Sequence, residues 1–131
     1  MKTTSNVARI LLGLLFLIFG LNGFLQFIKL PPPTGAAAQF MGALFSSREL
    51  AIIMGLQVVC GVLLLANRYV ALALNLLGPV IVNIVLFHTF MAPSGLPLAA
   101  VATILWVGTA WNVRDALSGI LRARTPTEPG A

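Results

Sequence analysis

Charge is scarce in this chain. Only 8% of its 131 residues are charged, against about 25% in an ordinary soluble domain, and 59% are hydrophobic. Its mean hydropathy is +1.00. That composition excludes a soluble globular domain and points to a single domain in a lipid bilayer. Carboxylates number three, Glu49, Asp115 and Glu128. None interrupts an apolar run, so no buried acid is available to carry protons or cations across a membrane. The single cysteine, Cys60, excludes an intrachain disulfide and a CxxC redox pair. Lying within an apolar run, it reads as a small buried hydrophobe. The single histidine, His88, leaves no HxxxH metal pair and no bis-histidine haem site. There is no CxxCH, no glycine-rich phosphate loop and no serine elbow. The residues therefore assign no catalytic group and no metal ligand, and no cofactor is evident. The net charge of +5 comes from cations scattered at the ends of apolar runs. That pattern argues against a nucleic-acid partner and for the flanks of membrane spans, with the lipid bilayer itself as the partner.

Four apolar runs are present. They predict spans over about 7–28, 49–66, 69–90 and 97–117. Residues 1–117 then form one transmembrane domain, and 118–131 a disordered cytoplasmic tail whose Arg122 and Arg124 are drawn to anionic headgroups. The first run exceeds the usual 7–15 residues of a signal peptide core, and Pro31, Pro32 and Pro33 separate it from Ala36–Ala38, so it is expected to be retained. Gly13, Gly20 and Gly23 offer close helix approach, as do Ala51 and Gly55 in the second span. If the N-terminus is cytoplasmic, six cations lie inside (Lys2, Arg9, Arg68, Arg114, Arg122, Arg124) and two outside (Lys29, Arg48). The expected fold is an all-α, up-down-up-down four-helix bundle with both termini cytoplasmic.

The first loop, 30–47, opens on three prolines and contains AAAQFMGALF. Its Phe40, Met41, Leu44 and Phe45 make a short amphipathic stretch, too short to span. It either lies on the membrane as a lid or is a loop that tucks its aromatics against the bundle. Ser46 to Glu49 matches the S-x-x-E capping box and opens the second span, which makes Glu49 a capping residue before it is a catalytic acid. Asn67 and Arg68 make a tight turn into the third span, 91–95 makes the next, and Pro97 falls in the first turn of the fourth.

The third span carries Asn75, Pro79 and Asn83 at spacings of four, roughly on one face. Pro79 has no N–H, so the Asn75 carbonyl loses its helical partner. Lipid cannot satisfy it, which points this face into protein or a wet cavity. By depth, Asn22, Gln26, Gln57, Asn83 and His88 share the outward half of the bundle. Asn83 and His88 lie five apart, about 140° around a helix, so His88 reaches at most a cavity mouth. Two accounts fit these five. One is interhelical hydrogen bonding. The other is a polar-ended pocket under the loop, suited to a lipophile with carbonyl or hydroxyl ends such as a quinone. His88 is then a proton relay or ligand contact, or a histidine held by a plain structural bond.

FGLNGFLQF at 19–27 with the proline loop, GLQVVCGVLLLANRYVALAL at 55–74 and GPVIVNIVLFHTFMAPSGLP at 78–97 resemble the DoxX family over almost all of residues 8–117. The resemblance implies a four-helix membrane fold in a bacterial-type cytoplasmic (inner) membrane. Members are named after the membrane part of a thiosulfate:quinone oxidoreductase, and related proteins are reported as membrane partners in redox or thiol-stress assemblies. Many members carry a glutamate where this chain has Gln57, which can hydrogen-bond but cannot shuttle a proton. Three functions follow: an accessory or anchor subunit of a membrane redox complex; a quinone- or lipid-binding protein with quinone-linked oxidoreductase activity; and, least favoured for want of a buried charge, a small transporter or channel. Homo-oligomerisation through the glycine faces is compatible with all three.

Overall fold

The structure, a computed structural model, describes residues 2–127. The regular structure among them is helical. The helices are α1 (Lys2–Leu25), α2 (Gly35–Ser46), α3 (Glu49–Ala66), α4 (Val70–Phe90), α5 (Leu96–Asn112) and α6 (Arg114–Ser118), with short 3₁₀ turns at Pro93–Gly95 and Gly119–Leu121. Four segments are long and apolar enough to cross a membrane: α1, α3, α4, and α5 with its preceding turn. Each spanning helix packs on two others. α1 lies against α3 and α5, and α4 lies against α3 and α5, while α2 rests on α3.

The buried faces follow helical spacing. Leu12, Phe16 and Gly20 of α1 meet Cys60, Gly61 and Leu64 of α3; Ala73, Leu74, Leu77 and Ile81 form the inner face of α4. α5 contributes the small residues Ala99 and Ala102, with Thr109. Lipid is as apolar as leucine, so this core is held by close packing rather than by escape from water. Gly13 and Gly61 make that packing tight: a Cβ on Gly61 would lie 2.8 Å from the Leu17 nitrogen and 2.9 Å from the Gly13 oxygen. Gly55, by contrast, has open space where its Cβ would be, so this half of the expected small-residue pair packs on nothing within the chain.

Several boundaries differ from the sequence reading. α1 starts in the polar leader and stops at Leu25, three residues short, because Gln26 turns left-handed at φ 51. Asn22 fixes that break: its backbone carbonyl accepts from Gln26 N–H at 2.9 Å and its side-chain oxygen accepts from Ile28 N–H at 2.7 Å. The last span ends at Asn112, and the chain kinks at Val113 into α6. Gly119–Leu121 forms a helical turn inside the segment expected to be disordered, and residues 128–131 of that segment lie outside those described.

The capping box does not form in the expected register. α2 runs through Ser46, whose hydroxyl donates back to the Ala43 carbonyl; Ser47 Oγ instead accepts from Glu49 N–H at 3.4 Å. The turn into α4 uses left-handed Asn67 and Tyr69, at φ 55 and 53. Pro97 sits in the first turn of α5.

Candidate functional site

Between α3 and α4 runs a half-open cavity of about 250 Å³, roofed at one end by α2. α2 supplies Phe40, Met41 and Leu44; α3 supplies Ile53, Met54 and Gln57; α4 supplies Pro79, Asn83 and Phe87. The loop's amphipathic stretch is thus a 12-residue helix with its apolar face over the groove, and Phe45 turned away at 71% exposure. Phe40 stacks at a tilt on Phe87, with ring centroids 5.6 Å apart, which ties α2 to α4 across the opening. No charged side chain lines the cavity.

Gln57 is the chemically telling residue. It is only 5% exposed and it lines the cavity; no hydrogen bond from its amide is found among the described residues, and that amide is not sealed off, Arg9 Nε being the one fully buried side-chain N or O atom without a partner there, so it opens on the groove. Eight residues along α3 from Glu49, it lies about 12 Å in from that helix end, well inside a hydrocarbon core of about 30 Å. An amide left unpaired there is costly, so the position calls for a partner entering from the groove. Asn83, on α4, lines the same cavity from an exposed position.

The five polar residues expected to form one cluster divide. Gln57 and Asn83 share the groove. Gln26 lines a separate cavity where α1 meets the α2–α3 junction. Asn22 spends its side-chain oxygen on the end of α1. His88 closes the α4–α5 turn: its Nδ1 bonds the Ala92 carbonyl at 3.0 Å, its ring meets Phe87 edge-on at 5.1 Å, and Gly95 packs directly beneath it. A carbonyl can only accept, so the Nδ1 proton is committed to that turn, and His88 lines neither cavity.

The face carrying Asn75, Pro79 and Asn83 does not turn into the core. All three are exposed, and Pro79 and Asn83 edge the groove. The interior of α4 is instead its leucine–alanine face. Next to the carbonyl that Pro79 frees, the Leu74 carbonyl accepts a 2.9 Å hydrogen bond from the Trp106 indole of α5. Sequence reasoning passed over this pair, although a tryptophan within an apolar span must find an acceptor for its N–H. Arg9, counted from the sequence only as a flanking cation, also reaches into the bundle: its Nη1 donates to the Leu64 carbonyl near the end of α3, and its Nε is buried with no partner among the described residues.

Cys60 is fully buried in the core. No group of three or more His, Cys, Asp or Glu is placed to hold a metal among the described residues. Comparison with protein-family models, with curated proteins and with solved structures finds no match.

Proposed function

We propose that this chain is a DoxX-like, multi-pass membrane protein whose α3–α4 groove holds a lipophile with a carbonyl- or hydroxyl-bearing head, a quinone being the best-fitting class. The observation that carries this reading is Gln57: a residue only 5% exposed whose amide opens on an otherwise apolar cavity that Asn83 also lines. An amide can donate to a ring carbonyl or accept from a hydroxyl, and two amides fix the head while the apolar walls take the ring. The groove is half open along the sides of α3 and α4, so a long tail can remain among the lipids.

Gln57 cannot exchange protons, so the role proposed is binding rather than catalysis by this chain alone. It acts as an accessory or anchor subunit of a membrane redox system, presenting the bound molecule to a partner. The spans run up-down-up-down with both ends cytoplasmic, supported by six cations against two and by the neighbour relations of the helices. The membrane is a bacterial-type cytoplasmic one, as the DoxX resemblance implies.

Titration of the detergent-solubilised protein with a short-chain quinone, read by quenching of Trp106 and Trp111 fluorescence, tests the reading. Saturable quenching is expected, weakened at least about tenfold by Gln57→Leu, which strips a buried polar partner from the head. Quenching that rises linearly and is indifferent to Gln57 would overturn it.

A further inference from the structure

We propose that the second cavity, where α1 and α2 end and α3 begins, binds the phosphodiester headgroup of an anionic phospholipid, with Arg48 as its anion ligand. This site is separate from the groove, with which it shares only Leu50. It is half open and encloses about 490 Å³. Its walls are of two kinds. Phe24, Phe45 and Leu50 are apolar, and Gln26, Ser46 and Arg48 are polar.

Arg48 is the cation in its lining; its side chain is exposed, and the arginine side-chain hydrogen bonds found among the described residues belong to Arg9 and Arg114. A guanidinium beside a cavity presents a forked set of donors that matches two phosphate oxygens. The Gln26 amide, which also lines the cavity, adds a neutral donor, while the Ser46 hydroxyl proton stays on the Ala43 carbonyl. Position agrees with chemistry: Arg48 immediately precedes the first residue of the spanning helix α3, the level at which lipid phosphates lie. Phe24 and Phe45, 52% and 71% exposed, offer the start of an acyl chain an aromatic surface. Free inorganic phosphate has nothing to place there. Arg48 is the one charged residue in the lining, with Glu49 outside it, so the cavity carries a net positive charge. That charge favours a headgroup that is itself net negative, of the phosphatidylglycerol kind, over the net-neutral phosphatidylcholine kind.

The test uses the full chain in nanodiscs of mixed phosphatidylglycerol and phosphatidylcholine, with retained lipid read by native mass spectrometry. Retention of phosphatidylglycerol over phosphatidylcholine is expected, falling about fivefold in Arg48→Gln, the loss of one cation near a lipid surface. Lys29→Gln removes a cation from the same end of the molecule but outside the cavity, and should leave the preference within about twofold. Phe45→Ser, at a position 71% exposed, should also lower retention, which a pure surface-charge effect would not produce. Equal retention of both lipids, equal losses in Arg48→Gln and Lys29→Gln, or saturable binding of inorganic phosphate that ignores Phe45 would each overturn the assignment.

Discussion

The indole of Trp106 on α5 donates a 2.9 Å hydrogen bond to the carbonyl of Leu74 on α4, one residue before the carbonyl that Pro79 leaves without a helical partner. The bond crosses between two spans where no water can substitute for it. Trp106→Phe keeps the ring and removes the donor, and should lower stability by about 0.6–1.7 kcal/mol, the range for interhelical hydrogen bonds in membranes. Thermal unfolding in detergent checks it. An unchanged midpoint would mean the bond contributes nothing beyond ring packing.

Gly61→Ala should cost about 1–3 kcal/mol, because the new methyl would sit 2.8 Å from a backbone nitrogen of α1 and backbone cannot step aside. Gly55→Ala, on the same helix with open space at its Cβ, should be neutral or slightly stabilising. The contrast separates helix packing from helix propensity. Similar effects at both positions would contradict the close α1–α3 approach.

His88 and Gly95 form a unit. Gly95→Ala drives a methyl into the imidazole and should destabilise by about 1–3 kcal/mol, while Gly95→Ala with His88→Ala together should recover part of that loss. Alone, His88→Ala should loosen the turn and leave ligand retention in the groove unchanged, since the ring lines no cavity. Loss of ligand with the fold intact would return His88 to the site.

Arg9 bridges α1 to the last turn of α3, where the Leu64 carbonyl also accepts from Asn67 N–H at 3.2 Å. A cation at that negative helix end and a charge-assisted bond together argue that Arg9→Met costs about 1–3 kcal/mol. Arg9→Lys, which keeps the charge, should cost less. Equal unfolding midpoints for the two variants would remove the electrostatic part of this account.

The four spanning helices were legible because ionised groups are sparse in them and kept to their ends, which leaves apolar runs long enough to cross a membrane. The groove was half legible. Gln57 and Asn83 stood out as amides inside apolar runs, and Phe40, Met41, Leu44 and Phe45 as one amphipathic stretch, of which Phe45 turns away from the groove. Their meeting depends on α2 folding back over α3, which no local pattern encodes. Asn22, Gln26 and His88 had the same polar signature but serve elsewhere, because depth along a helix does not fix direction around it. Asn22 went to a helix end created by the left-handed turn at Gln26, a residue type that rarely advertises that conformation. His88 went to a turn whose key partner, Gly95, lies seven residues on and has no side chain to mark it. The capping box failed for a similar reason: α2 continued one residue further than the motif allows and took Ser46 into its last turn.

The central claim is that Gln57 and Asn83 hold a lipophile in the α3–α4 groove. Native mass spectrometry of the protein purified in mild detergent from its own membranes tests it most directly, comparing the wild type with a variant carrying Gln57→Leu and Asn83→Leu. The account predicts a bound lipophile of quinone mass in the wild type and its loss in the double variant, with helical content unchanged. A wild-type protein that carries no ligand, or a variant that retains the same ligand to the same extent, would contradict it.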